Sequence, residues 1–182
     1  HYFSRVPSVL KEGTFHSGQF FCVAPLFISA EDKWDIGFEA GFDMSNLAND
    51  YGLNHWELLR GVVPWLVNCR NAGYLAEFNG EPLDFDDPYF WARFLKAVAY
   101  REGMGNTIAE GGMRAADILG FGQEFLIQHY IAWGHARHWE GHGVKGNPIM
   151  FPFWLVVALQ WTFDTRDPMG SGHGYTTNIW GW

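Results

Sequence analysis

Apolar residues recur every three or four positions from about residue 41 onward, which is typical of amphipathic helices. The first well-marked helix starts after Asn54, a favoured N-cap residue, and Glu57 follows three residues later as in a capping box. Gly73 marks the end of this helix, and Pro64 inside it predicts a kink. Its predicted core face consists of Leu58, Leu59, Val62, Trp65, Leu66 and Cys69.

The stretch LDFDDPYFWARFLKAVAYREGMG predicts a second helix. Asp87 is its expected N-cap, Pro88 takes the first helical position, and Gly103 ends it. Its predicted core face consists of Phe90, Trp91, Phe94, Leu95 and Val98.

Three more helices follow in the pattern. The string NTIAEGGMRAADILG predicts a helix capped by Asn106 and ended by Gly120, and a fourth helix runs from about 122 to 133. The apolar run 151–163 predicts a buried core helix with Pro152 near its start.

Residues 1–40 lack the helical period. Gly13, Gly18 and Pro25 interrupt short apolar runs there, which predicts turns and a short hairpin. We therefore expect a turn-rich entry segment over 1–40 and a helical domain over 41–182, giving a mainly α fold with long loops. The chain has no initial Met and ends in TTNIWGW, so we expect it to be a fragment of a longer polypeptide.

Composition and charge narrow the classes of function. The 182 residues are 48% hydrophobic, enough for a sizeable core, and the 18% aromatic share favours flat surfaces in a core or pocket. The net charge is −8 without a Lys/Arg cluster, which argues against nucleic-acid or anionic-membrane binding. The most apolar run, 151–163, is shorter than the roughly 20 residues of a membrane span, so we expect none.

The two cysteines, Cys22 and Cys69, are too few for a zinc knuckle or a disulfide framework. They favour a reduced, cytoplasmic location.

The stretch NDYGLNHWELL, residues 49–59, gathers small polar side chains at a helix start. Backbone N–H groups at such an end are unpaired and bind carboxylates, phosphates or polar heterocycles. The side chains of Asn49, Asp50 and Asn54 can pair with the donor and acceptor edges of a ring system. The alternative is a helix–turn–helix connection with good caps and no ligand.

Several histidines are concentrated near the C-terminal end of the chain. His135, His138, His142 and His173 can supply acid–base chemistry near neutral pH. The surrounding glycines favour a loop, and the stretch has no HExxH pattern or cysteine at ligand spacing. Lining a pocket is therefore favoured over direct metal binding.

Charged residues also occur in the glycine-rich string AYREGMGNTIAEGGMRAADILG. Close helix packing at Gly111 and Gly112, with Arg114 paired to an acid such as Glu110 or Glu102, explains them without a catalytic role.

These strings together resemble the aldehyde ferredoxin oxidoreductase family, whose members depend on tungsten or molybdenum. The likeness covers about residues 45–178 and rests on four strings in the family's order. They are NDYGLN before a helix, AYREGMGNTIAEGGMRAADILG, HGVKG and RDPMGSGHGYTTN.

The resemblance implies a tungsten (or molybdenum) bis-pterin cofactor beside a [4Fe–4S] cluster whose ligands lie outside this chain. The family's D-x-x-G-L-D motif positions a pterin and falls here on Asn49, Gly52, Leu53 and Asn54, with Asp50 compensating for two acids replaced by Asn. For the glutamate that the family places near the metal, the nearest candidate is Glu31.

The implied reaction is oxidation of a small aldehyde to a carboxylate. Electrons would pass through the cluster to ferredoxin or electron-transfer subunits of an oligomer, and His135, His138, His142 and His173 are candidate proton donors. The histidine-rich loop and the aromatic stretch PIMFPFWLVVALQWTFDTRDPM resemble an alternative branch, the one that includes the tungsten subunit of class II benzoyl-coenzyme A reductase, which implies an aromatic acyl-CoA substrate. A third possibility is a cofactor-free helical interaction domain.

Overall fold

Helices dominate the fold, in agreement with the mainly α class predicted above. The computed structural model describes residues 2–20, 24–30, 33–55 and 57–129. None of the helices in these ranges is both long and apolar enough to cross a membrane. The predicted helix over 151–163 and the histidine-rich loop lie outside the described residues.

The described residues form four strands, six α-helices and two other helical segments. A 3₁₀ turn covers Ala24–Phe27, and a π-helical segment covers Glu57–Val62. The strands are β1 (Tyr2–Pro7), β2 (Phe15–Gln19), β3 (Glu77–Phe78) and β4 (Glu81–Pro82). The helices are α1 (Gly37–Asp50), α2 (Val63–Asn71), α3 (Pro88–Tyr100), α4 (Gly105–Ile108), α5 (Gly112–Leu119) and α6 (Gln123–His129).

Strands β1 and β2 form the short hairpin predicted for the entry segment. They pair antiparallel, with Tyr2 opposite Gln19 and Pro7 opposite Phe15. The register shifts between Phe3 and Val6, where a bulge interrupts the ladder.

A buried carboxylate on α1 fastens the loop of this hairpin. Asp43 is only 1% exposed, and its Oδ2 accepts hydrogen bonds from Ser8 Oγ (2.9 Å), Val9 N (2.7 Å) and Leu10 N (3.2 Å). His16 Nδ1 lies 2.8 Å from Asp43 Oδ1, close enough for an ion pair although hydrogen-bond alignment is not met. Because a buried carboxylate needs such partners, the hairpin and α1 stabilise each other.

The helix predicted after Asn54 forms with a different backbone geometry at its start. Asn54 Oδ1 accepts from Glu57 N at 3.2 Å, which confirms the N-cap, and Gly73, at φ +76°, follows the helix as predicted. Between these points a π-helical segment precedes α2, where a kinked α-helix was expected. Pro64 lies in the first turn of α2, directly after this π-helical segment.

Helix α3 begins as predicted but ends earlier. Asp87 caps it, accepting from Tyr89 N and Phe90 N at 2.9 Å each, and all five predicted core-face residues are buried. The end predicted at Gly103 is wrong, because Arg101 takes the left-handed C-cap position at φ +58°. Hydrogen bonds from the Arg101 guanidinium to Asn106 and Glu110 stabilise this unusual conformation.

The helix predicted from Asn106 to Gly120 is two helices, α4 and α5. Gly111 separates them with φ +90°, and Asn106 lies inside α4 instead of capping it. Gly120 ends α5 in the left-handed region, as predicted. Helix α6 confirms the described part of the fourth predicted helix.

Aromatic side chains fill most of the core between α2, α3 and the loops around them. Trp91 is fully buried and packs against Phe27 and Trp34, with ring centroids 5.6 and 5.5 Å apart. Trp65 is also fully buried and stacks on Phe121 at 6.2 Å. The high aromatic content of this region therefore builds core, as one of the two expectations had it.

Cys69 lies inside this core, on the face of α2 predicted for it. It is fully buried as a free thiol, and burial, with a smaller contribution from Glu124, raises its pKa to about 12. A thiol that stays protonated at neutral pH is a poor metal ligand and a poor nucleophile.

We therefore expect Cys69 to resist iodoacetamide at pH 8 in the native protein and to react fully after unfolding. Peptide mass spectrometry distinguishes its peptide from that of Cys22. Labelling of native Cys69 at the rate of a free cysteine would contradict the buried position.

Candidate functional site

The turn at residues 49–54 joins the end of α1 to the helix that follows. Gly52 has φ +68°, and its N–H donates to Asn49 O at 2.9 Å, while Leu53 N–H donates to Ala48 O at 2.9 Å. These two bonds form a Schellman motif, which satisfies the last carbonyls of α1. The glycine is required because a left-handed C′ position is strained for other residues.

The five residues predicted to bind a cofactor lie on this one turn. Asn49, Asp50, Gly52 and Asn54 are exposed, whereas Leu53 is half-buried and packs against the core. A Cβ atom added at Gly52 would meet no heavy atom of the described residues within 4 Å. The turn therefore has an open surface bordered by small polar side chains and anchored by one leucine.

Capping uses part of the hydrogen-bonding capacity that the sequence predicted to be free. The Glu57 N–H donates to Asn54 Oδ1, so this backbone N–H is not available to a ligand. No hydrogen bond among the described residues involves the side chains of Asn49 or Asp50. These two exposed side chains are the polar groups on the turn best placed to meet a ligand.

Two tyrosines stand beside the turn. Tyr51 and Tyr100 pack edge to face with ring centroids 5.7 Å apart, which brings the end of α3 to the end of α1. Burial, followed by the charges of Tyr100, Asp50 and Glu102, raises the pKa of the Tyr51 phenol. Tyr51 is therefore a neutral hydrogen-bond donor at physiological pH.

His55, which was not singled out from the sequence, follows directly on the turn. Its ring packs edge to face against the buried Phe27, with centroids 5.4 Å apart. Its Nε2 is buried and has no hydrogen-bond partner among the described residues, and burial lowers the pKa of the imidazole. The only sequence signal was its position after Asn54, because Phe27, which buries it, is distant in the chain.

Glu57 connects the turn to the glycine-rich string. Its Oε1 accepts from Gly112 N at 2.8 Å, and a Cβ added at Gly111 would lie 3.0 Å from the same oxygen. This confirms close packing at Gly111. The helix that follows NDYGLN is therefore in direct contact with the glycine-rich string AYREGMGNTIAEGGMRAADILG.

The charged residues of that string pair with one another. Arg101 Nη1 lies 2.7 Å and Arg114 Nη1 3.3 Å from the carboxylate of Glu110, which confirms the predicted pairing of Arg114 with an acid. The hydrogen bond from Arg101, followed by that from Arg114, lowers the pKa of Glu110. The ion pairs are exposed and link the end of α3 to the start of α5.

The predicted catalytic residues Glu31, His135, His138, His142 and His173 lie outside the described residues. Within the described ranges no three His, Cys, Asp or Glu side chains are grouped so as to hold a metal ion. The described part of the site is thus the turn, His55 and the contact between Glu57 and Gly112.

A model of one protein family matches this part of the chain. It is described as aldehyde ferredoxin oxidoreductase, domains 2 and 3, and it covers residues 36–135, more than half of the sequence. The chain belongs to the aldehyde ferredoxin oxidoreductase family. The matched range contains all of the described helices from α1 to α6, so the family match and the described helical fold coincide.

Membership in the aldehyde ferredoxin oxidoreductase family confirms the resemblance stated from the sequence and indicates an oxidoreductase. Comparisons with curated proteins and with solved structures each found no match for this chain. The family match does not confirm the benzoyl-CoA reductase branch.

Proposed function

We propose that this chain forms part of the active site of a tungsten or molybdenum bis-pterin oxidoreductase that converts aldehydes to carboxylates. A [4Fe–4S] cluster with ligands outside this chain would supply the electron path to ferredoxin or electron-transfer subunits in the cytoplasm. The observation that carries the proposal is the open polar turn 49–54, which lies inside the family match.

The described residues fit a pterin in two respects. A Cβ atom added at Gly52 would meet no described heavy atom within 4 Å, so a ligand can approach the backbone of the turn. The exposed side chains of Asn49 and Asp50 provide complementary polar groups. Two family acids are Asn49 and Asn54 here; an amide still donates and accepts, and Asp50 supplies a negative charge.

The residues of this chain bind and orient the cofactor. The Schellman turn fixes the backbone at Gly52, and Leu53 anchors it to the core. The hydrogen bond from Gly112 to Glu57 keeps the following helix in place against α5. Such rigid support holds a site within the narrow tolerances that catalysis requires.

When bound, the metal–pterin group supplies the two-electron redox chemistry. The protein's part in the reaction is to hold the substrate and to move protons. We assign proton transfer to His135, His138, His142 and His173, because imidazole exchanges protons near neutral pH. Oxidation of an aldehyde with water releases protons, which these side chains would accept; reduction of an aromatic ring consumes protons, which they would donate. Glu31 is assigned a position near the reacting group by resemblance to the family.

Elemental analysis tests the proposal in the native protein purified anaerobically. We expect tungsten or molybdenum together with two pterins per metal atom, the pterin being measured by fluorescence after oxidation. A metal-to-protein ratio near zero for both tungsten and molybdenum would favour a helical interaction domain without a cofactor.

The substrate needs a separate assay. Aldehyde oxidation with ferredoxin or a dye as acceptor is the expected activity, and reduction of an aromatic acyl-CoA is the alternative. The aromatic run 151–163 and the neighbouring histidines are the sequence features that favour this alternative. Activity with acyl-CoA alone would move the protein to the reductase branch.

Asp50→Asn tests whether the turn contacts the cofactor. We expect roughly tenfold to hundredfold weaker pterin retention, because a hydrogen bond to a charged group is lost. The folded protein should become slightly more stable, since Asp50 places a negative charge at the negative end of the α1 dipole. Pterin content should therefore fall, whereas the thermal unfolding temperature, Tm, of the cofactor-free protein should rise slightly.

Asp117→Asn is the matched control for Asp50→Asn, because Asp117 is exposed on α5 away from the turn. It should leave pterin content unchanged. Equal retention in the two variants would exclude Asp50 from the site.

A further inference from the structure

A cavity of about 260 Å³ lies between α3 and the hairpin formed by β3 and β4. Three buried aromatic rings, those of Phe78, Phe90 and Phe94, form its floor. Phe94 stacks on Phe90 with ring centroids 5.9 Å apart and contacts Phe78 at 4.8 Å. Pockets for drug-sized ligands span about 300–1,000 Å³, so this cavity suits a smaller molecule with an apolar body.

Side-chain hydrogen bonds fix the walls of this cavity at two places. Arg93 Nε on α3 donates to Glu81 Oε2 on β4 at 2.7 Å. Asn79, in the turn between β3 and β4, donates from Nδ2 to Glu102 O at 3.2 Å and accepts from Met104 N at 2.7 Å. The hairpin is thus tied to the middle of α3 and to the loop beyond its C-terminal end, so the cavity exists without a ligand.

Charged side chains surround the aromatic floor, and only some of them have partners. Arg93 is paired with Glu81 and Asp87, whose carboxylates lie 2.7 and 3.4 Å from its guanidinium. The side chains of Lys96 and Glu102 also line the cavity and are exposed, and neither makes a hydrogen bond or ion pair with a described residue. The cavity therefore presents one free ammonium and one free carboxylate beside an apolar surface.

We propose that this cavity binds a free amino acid with an apolar side chain, whose two charged groups are recognised by Lys96 and Glu102. The Lys96 ammonium donates to the ligand's carboxylate, and the Glu102 carboxylate accepts from the ligand's ammonium. The ligand's side chain lies on the aromatic floor, where its apolar surface leaves water. A simple carboxylate or amine would pair with one of the two residues and meet a like charge at the other.

The site lies apart from the turn 49–54, none of whose residues line the cavity, and it does not rest on the proposed function. Isothermal titration calorimetry of the native protein with L-phenylalanine as the probe tests it. We expect saturable binding of L-phenylalanine. Phenylpropionate, which lacks the ammonium, and phenethylamine, which lacks the carboxylate, should each bind about ten- to hundredfold more weakly, because each loses one charge-assisted hydrogen bond.

Substitutions of the two free charges locate the binding site. Lys96→Gln should weaken L-phenylalanine binding about ten- to hundredfold and leave phenethylamine binding unchanged, because phenethylamine has no carboxylate to lose its partner. Glu102→Gln should weaken L-phenylalanine binding to a similar degree without weakening that of phenylpropionate. Lys11→Gln is the matched control, because Lys11 is exposed in the loop between β1 and β2.

All three substituted side chains are exposed, so the variants should keep the wild-type Tm. Absence of saturable L-phenylalanine binding by the native protein would overturn the proposal. Equal weakening of L-phenylalanine and phenethylamine by Lys96→Gln would also overturn it, and so would an effect of Lys11→Gln as large as that of Lys96→Gln.

Discussion

Replacing Gly122 by alanine is expected to destabilise the protein by about 2–5 kcal/mol, the sum of a backbone penalty and a steric one. Gly122 has φ +79°, where an L-residue is strained. A Cβ there would overlap Trp65 Nε1 and lie 2.7 Å from Cys69 Sγ. Neither side chain can move aside, because both are fully buried in α2.

The same contact explains why the position matters. Trp65 Nε1 donates to Gly122 O at 3.1 Å, so the indole holds the turn that leads into α6. An added methyl group forces this hydrogen bond to lengthen or the turn to withdraw from α2. Denaturant unfolding of the wild type and the variant measures the loss directly.

Gly120→Ala is the matched control for this substitution. Gly120 also has a positive φ, +78°, but a Cβ there meets no described heavy atom within 4 Å. It should therefore show only the backbone penalty of about 1–2 kcal/mol. If Gly122→Ala costs no more than Gly120→Ala, the packing of Gly122 against Trp65 and Cys69 is wrong.

The largest expected effect on activity comes from the histidines. Alanine in place of the histidine that transfers the proton, among His135, His138, His142 and His173, should lower turnover by about 10²–10⁴-fold with metal content kept. Imidazole, with an unperturbed pKa near 6.5, exchanges protons readily at neutral pH. We expect the other three alanine variants to have smaller effects.

Turnover per bound metal atom is the quantity to compare in this series. His16→Ala is the control, because His16 lies on β2 and pairs with Asp43, which fastens the hairpin. Its turnover per metal should match the wild type. Unchanged turnover in all four variants would remove the histidines from the mechanism.

Helix boundaries were predictable where a single residue decides them. Asp87 and Asn54 cap their helices through their own side chains, and Gly120 ends α5 because glycine favours the left-handed conformation. These effects are local, so the sequence pattern contains them. Helix α1 begins at Gly37, a few residues before the predicted start of the helical region.

Boundaries that accompany tertiary contacts were not predictable. Arg101 ends α3 in the left-handed conformation, and its guanidinium donates hydrogen bonds to Asn106 and Glu110. The break between α4 and α5 goes with the hydrogen bond from Gly112 to Glu57, which is 55 positions away. Neither partner can be identified from periodicity or propensity alone.

The candidate site likewise has a part that the sequence predicted and a part that it did not. The turn 49–54 was identified because its polar residues and Gly52 are consecutive, and its backbone form follows from the glycine. His55 was missed because its burial comes from Phe27 and not from its neighbours in the sequence. The partial use of Asn54 as a cap likewise became evident only from the hydrogen-bond geometry.

An experimental structure of the native protein, prepared without oxygen, tests most directly whether the 49–54 turn holds a metal–pterin group. We expect pterin density with the ring over Gly52 and within about 3.2 Å of the Asn49 or Asp50 side chain, which is a hydrogen-bond distance. Density for the cofactor at a different place in the protein, with this turn covered by side chains, would contradict it.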